Sequence, residues 1–234
     1  MSYDIRQLKY LKNKNSPVIL DIGAMCGSDS ILFSEYFEDP QIFSFEADPK
    51  AIKAFKHTVG DNKHITLIEK AVCHIDGKVL WNSAIDLSDP VTRWDFLDKQ
   101  QAPPQWAYGS SSGTIKTPDK HGDIFAHIKY TDTFFVEAIK LDTWFEQQNI
   151  DKIDFLWSDV NGGEFELISG GINTLINHTL YFWTECVSAP LWNNSATKED
   201  IFSLLPDFEV IHSTGSDLLF INKKLAEKED KNGK

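Results

Sequence analysis

Residues 17–30 read PVILDIGAMCGSDS, and this stretch limits the fold more sharply than any other. Residues 18–22 are an apolar, β-favouring run broken by one acid, Asp21, and are expected as a buried strand. Gly23 and Gly27 follow, and a helix is expected over about 28–38, burying Ile31, Leu32 and Phe37. The next residues repeat the alternation. Residues 41–46 predict a second strand, Asp48 an N-cap with Pro49 at the first helical position, and a helix to about Val59. Residues 65–68 predict a third strand, which leads through Glu69-Lys70 to Ala71-Val72. Strand–helix alternation of this kind specifies a parallel sheet covered by helices.

The pattern stops at about residue 82. Residues 82–132 mix Pro, Ser, Gly and Gln with Trp94, Trp106 and Tyr108, and fifty residues without periodicity exceed an idle loop. A lid or insertion is expected there. Regularity returns with strands at 134–139, 153–160 and 180–187, and with helices at 141–148, near 164–169 and 172–178, and at 197–205, where Thr197 and Asp200 form a capping box. Residues 208–212 and 218–222 predict a closing antiparallel hairpin. A short helix is expected before Lys14, and a frayed, disordered tail over 224–234. Residues 1–223 are expected as a single domain, which 234 residues can fill with a full core.

Charge narrows the partners. Thirty-five Asp and Glu against 23 Lys and Arg give a net charge of -12, a poor match for a phosphate backbone, so no nucleic-acid partner is expected. Three cysteines without a CxxC suit a reducing cytoplasm. No apolar run reaches transmembrane length, and the charged N-terminus does not read as a secretory signal. Oligomeric state is not legible.

The glycine turn lies where open α/β sheets bind ligands, outside the carboxyl ends of the strands. Gly23 permits a tight turn and a close ligand approach. Glu46, about twenty residues on at the end of the second strand, can accept the hydroxyls of a ribose. The dinucleotide pattern G-x-G-x-x-G is missing, and an acid precedes the turn, which disfavours a bound pyrophosphate. A nucleoside site with a carboxylate near the turn is the better reading. A nicotinamide dehydrogenase stays as the alternative.

The residues now carry a resemblance. VILDIGAMCG resembles the first motif of class I S-adenosylmethionine-dependent methyltransferases, and FSFEADP the second. The likeness narrows to the FkbM-type family through the D-x-G-A-x-x-G turn, the E-x-x-P segment, Lys70-Ala71-Val72, Leu141-Asp142, Ile153-Asp154-Phe155 and the block Ser158-Asp159-Val160-Asn161-Gly162-Gly163-Glu164. It spans residues 17 to about 187, apart from 82–132. Asn161 stands where the family has Glu, and Gly163 where it has Ala. The resemblance implies a Rossmann-like class I methyltransferase sandwich with a mostly parallel sheet, a C-terminal antiparallel hairpin and an inserted lid. It also implies that Asp21, Gly23, Ala24 and Gly27 wrap the methionine part of S-adenosylmethionine, that Glu46 holds the ribose, and that Ala47, Ala71 and Val72 edge the adenine. Asp76 reads as turn chemistry.

The reaction to be served is methyl transfer to a hydroxyl, most naturally of a sugar, glycan precursor or related small molecule. An alcohol is a weak nucleophile at neutral pH and gains from a base. Asp159, at the end of the apolar run Phe155-Leu156-Trp157, is the candidate; its competing role is capping the helix after Gly163. Glu164, Glu185, Trp106 and Tyr108 are candidate acceptor-binding residues. Asp159 and Glu185 could share a divalent metal, although a third ligand is not evident. The histidines show no HExxH spacing, and none is singled out as a base. Trp81, Trp94, Trp106, Tyr108 and Trp192 suit either a carbohydrate pocket or the core of an insertion. Asn161 keeps open a third possibility, a module that binds S-adenosylmethionine without turnover.

Overall fold

The run at residues 18–22 does form a buried strand, β1 (Val18–Ile22), flanked on both edges by parallel neighbours. In the computed structural model, residues 5–12, 14–86, 112–186, 191–193 and 195–232 are described. After β1 come α1 (Ser28–Tyr36), β2 (Gln41–Phe45), α2 (Pro49–Val59), β3 (Ile65–Ile68) and β4 (Ala71–Val72). A long pair, β5 (Gly77–Asp86) and β6 (Ile128–Ile139), brackets α3 (His121–Ile124). The chain continues through α4 (Leu141–Glu146), β7 (Ile153–Ser158), α5 (Glu164–Gly170), α6 (Ile172–His178) and β8 (Thr179–Glu185). It ends with α7 (Lys198–Leu204), β9 (Phe208–Thr214), β10 (Asp217–Asn222) and α8 (Lys223–Asn232).

The main sheet has the order β3-β2-β1-β7-β8-β10-β9. Strands β3, β2, β1, β7 and β8 are parallel, and the β9–β10 pair closes the edge antiparallel, as the resemblance implies. Side-chain alternation sorts the strands onto two faces. Leu20, Ile22, Phe43, Phe45, Leu156 and Phe182 pack with α4 to α7, while Ile19, Ile42, Phe155, Trp157, Tyr181 and Trp183 pack with Phe33 of α1 and the N-terminal residues.

Three expectations change. The irregular segment is shorter than its sequence suggests: β5 and β6 pair antiparallel from Gly77 to Asp86, and with β4 form a second sheet of three strands. Its polar and charged residues hide the strand period, because one face of the pair is open to solvent, with Leu80 and Phe135 exposed. In α1 the buried face carries Ser30 and Phe33, while Leu32 is 41% exposed, and the helix stops at Tyr36. Before residue 12 there are two 3-10 turns, Ile5–Gln7 and Lys9–Leu11, in place of one helix.

The charged tail is helical as far as Asn232, where fraying was expected from 224 on. One apolar residue and several polar anchors account for the difference. Leu225 packs with Leu8, Leu11 and Ile221, Tyr10 Oη donates to Asp230 Oδ1 at 2.8 Å, and Lys152 pairs with both Glu229 and Asp154. Asp154, buried at the start of β7, also accepts from Lys14 Nζ at 2.6 Å and from the Val18 N–H at 2.9 Å, which joins the N-terminus, the sheet and α8. Leu225→Ala is therefore expected to lower unfolding stability by about 2 kcal/mol, as core truncations do. Denaturant melts give the measurement, and a frayed tail would show no change.

Candidate active site

The turn after β1 is built by backbone contact with the neighbouring strand. The Asp159 N–H donates to Ile22 O at 2.9 Å, which carries the β1–β7 pairing one residue further. A Cβ on Gly23 would fall 2.0 Å from the Asp159 carbonyl oxygen, and Gly23 has φ +86, so this position admits only glycine. Both Gly23 and Ala24 then donate N–H groups to Phe45 O, at 3.0 and 2.9 Å. Met25 takes φ 50, an uncommon value for a side-chain-bearing residue, and its N–H is caught by Glu46 Oε2 at 2.8 Å.

Glu46 thus has a structural task beside any ligand. Its Oε1 accepts from the Ala47 and Asp48 N–H groups at 2.7 and 2.8 Å. Two donors fill the lone pairs of Oε1, and the remaining capacity for a hydroxyl lies on Oε2. Burial pushes the carboxyl up to about 7, against the pull of these three N–H groups.

A cavity opens over the turn. Gly23, Ala24, Glu46, Ala47, Ala71 and Val72 all line it, as does Asp159. Asp21 and Gly27 do not. Asp21 follows Ile19 by two residues and so faces α1, where Ser30 donates to it and shares a 2.7 Å hydrogen bond with Ser44. Burial, helped by Asp29, pushes the Asp21 carboxyl upward. Gly27 is needed because α2 packs on it, with a Cβ meeting Val59 at 2.4 Å. Lys70, Gly113 and Ile115 stand on this wall too, and so does Trp81, which the sequence offered to a carbohydrate pocket or an insertion core. Trp81 comes from β5, and its Nε1 donates to Asp48 Oδ2 at 3.1 Å while Asp48 caps α2. The described part of the inserted segment thus covers the cavity.

A second cavity begins where the first ends. Asp29, Trp157, Asp159 and Asn161 line both. Beyond them stand Glu185 and Asp217, which are direct partners in the β8–β10 ladder, and Trp183, whose ring stacks on Trp157 with centroids 3.7 Å apart. Asp159 is open to this cleft. Protein nonetheless surrounds its carboxyl on the other sides, and this desolvation, reinforced by Glu185, Asp217 and Asp29, pushes it up to about 7. Asp217 escaped the sequence reading because only the antiparallel register of β10 brings it to the carboxyl edge of the parallel strands.

The competing role for Asp159 is not realised: the N-cap of α5 is Gly163, with no side-chain cap. Glu164 lies behind the wall, buried, with Oε1 accepting the Gly162 N–H at 3.2 Å; burial pushes it up to about 8. It braces the 159–163 loop and does not face the acceptor side. Asn161 has φ 50, a conformation asparagine tolerates better than glutamate, and its carbonyl accepts from Thr114 Oγ1 at 2.7 Å. Asp76 accepts from the Lys140 N–H at 3.0 Å and from Thr143, the turn chemistry expected of it. Trp94, Trp106 and Tyr108 lie outside the described residues. Among the described residues no group of three or more His, Cys, Asp or Glu is placed to hold a metal ion.

Known proteins resemble this chain. Residues 21–182 match the Methyltransferase FkbM domain family. The 2-O-methyltransferase NoeI of Sinorhizobium fredii (strain NBRC 101917 / NGR234) is 30% identical over 224 residues, covering 94% of this chain and 85% of that protein. Among solved structures, Methyltransferase FkbM from Methylobacillus flagellatus KT aligns with a TM-score of 0.48 at 11% identity, covering 88% of this chain and 43% of that one. The present chain therefore spans less than half of that structure. Aeropyrum pernix fibrillarin, in complex with natively bound S-adenosyl-L-methionine, aligns with a TM-score of 0.40 at 12% identity, covering 90% and 67%. The family match sets aside the nicotinamide dehydrogenase reading. The chain belongs to the FkbM methyltransferase family, and its methyl donor is S-adenosylmethionine.

Proposed function

We propose that the chain methylates a hydroxyl of a sugar, glycan precursor or related small molecule, with Asp159 as the base. The observation that carries this reading is the position of Asp159 at the junction of the two cavities. The similarity to a 2-O-methyltransferase supports oxygen as the acceptor atom. The net charge of -12 favours such an acceptor over a nucleic acid. Cys26, Cys73 and Cys186 are buried free thiols, which suits the cytoplasm, and no helix among the described residues is long and apolar enough to cross a membrane. Within the insertion expected at 82–132, the described residues Gly113 and Ile115 stand on the donor-pocket wall and close that side of the site.

The residues fit the methyl donor. Asp29 on the cavity wall matches the ammonium of a methionyl group, Glu46 Oε2 accepts from the ribose diol, and Ala47, Ala71 and Trp81 leave a flat apolar slot for the base. When bound, S-adenosylmethionine supplies a methyl group already activated by its sulfonium. The protein is left with alignment and proton removal. Asp159, ionised above about pH 7, takes the hydroxyl proton as the new oxygen–carbon bond forms.

Three measurements test these roles. Production of S-adenosylhomocysteine from a panel of glycosides is expected in the wild type, with kcat lowered at least about 100-fold in Asp159→Asn. Full activity in that variant would remove Asp159 from the reaction. The rate should rise with pH through about 7, and Glu185→Gln should move that limb to lower pH, because it removes a charge that holds Asp159 protonated. For Glu46 the ionised form accepts the diol, so a folded-state value near 7 means that affinity for S-adenosylhomocysteine falls as pH drops through that range. Calorimetric titrations between pH 6 and 8 should show this slope in the wild type. Glu46→Gln should bind about tenfold or more weakly and lose the slope.

A further inference from the structure

The acceptor side of Asp159 contains an aromatic assembly that none of the roles above uses. His121 opens α3, and its backbone N–H donates to Leu191 O at 2.9 Å. Its ring stacks on Trp192, with centroids 4.6 Å apart at 21°. Trp192 in turn packs on Gly162, where a Cβ would lie 2.7 Å from the indole. The stack is therefore seated on the loop that carries Asp159. Both His121 and Trp192 line the second cavity.

The hydrogen bonds fix the imidazole. Trp192 Nε1 can only donate, and it lies 3.1 Å from Tyr130 Oη. The phenol oxygen accepts there, and with its own proton turned to His121 Nδ1, also at 3.1 Å, it would leave the hydrogen of the neutral ring on Nε2. Burial pushes His121 below the ordinary histidine value and so favours this neutral form. Nε2 has no hydrogen-bond partner among the described residues.

The cavity thus presents carboxylate acceptors on Asp159, Glu185 and Asp217 and an N–H donor on His121. A polyol is the chemical complement of that arrangement, since each hydroxyl both donates and accepts. We propose that the second cavity is the acceptor subsite and that His121 Nε2–H holds the oxygen next to the hydroxyl being methylated, which makes the acceptor a vicinal diol of a pyranose. This rests on the hydroxyl-transfer reading above. Asp159 and His121 divide the diol: one takes the proton of the reacting oxygen, and the other grips its neighbour. Tyr130 is the positioning residue.

The test uses the full-length chain with S-adenosylmethionine and a panel of methyl pyranosides, each paired with its deoxy analogue lacking the neighbouring hydroxyl. His121→Ala should raise acceptor KM about tenfold or more and leave S-adenosylhomocysteine affinity unchanged. The deoxy analogue should be poor for the wild type and no worse for the variant. An unchanged acceptor KM in His121→Ala would overturn the proposal and leave the methyltransferase reading intact. A wild type that binds S-adenosylhomocysteine but methylates no pyranoside would overturn both the sugar reading and the acceptor assigned here. Nitrogen-15 NMR provides a second readout. The wild-type His121 should show the Nε2–H tautomer, and Tyr130→Phe should show a mixture; an Nδ1–H tautomer in the wild type would overturn the assignment.

Discussion

The close approach of two strand ends organises everything around it. Ile22 and Asp159 extend the β1–β7 pairing past both strands, and the Asp159 carbonyl occupies the place where residue 23 would carry a Cβ. The glycine is thus demanded by protein backbone before any ligand arrives. That contact aims the turn toward Glu46 on one side and fixes Asp159, the proposed base, on the other. The two cavities meet at Asp159, and the same peptide group helps shape both.

Electrostatics follows from this crowding. Asp29, Asp159, Glu185 and Asp217 come from four separate elements, yet the carboxyl edge of the sheet gathers them into one cleft. Poor solvation raises the proton affinity of Asp29, Asp159 and Glu185, and with the neighbouring carboxylates it pushes Asp159 up to about 7. Glu46 has the same tendency but a different outcome. Its oxygens are occupied by backbone N–H groups, so it acts as scaffold and ligand together.

Local patterns predicted the elements whose residues obey one period. The β1–β3 half of the sheet, the Asp48 and Thr197 caps and the closing hairpin are legible because apolar spacing and capping residues agree there. Only residues 134–139 of the β5–β6 pair were legible as strand, since an exposed strand face reads as loop. The site divides along similar lines. Gly23, Glu46, Ala47 and Asp159 are contiguous with recognisable turns and strand ends. Asp217 and His121 reach the site only through long-range pairing, and no local pattern marks them. Asp21 shows the opposite error: it sits in the motif, but strand alternation turns it away from the cavity toward Ser30.

The origin of Asp217 has a consequence for how such an enzyme changes. This carboxylate enters the cleft from a strand whose register depends on the tight reversal at Gly215, φ +66, and on a slip in the β9–β10 ladder at Leu219. One residue gained or lost in that reversal would rotate a different side chain into the acceptor cleft and would not touch β1, β2 or the turn between them. Selectivity and methyl-donor chemistry are thus separately adjustable, the first from the edge of the sheet and the second from its centre.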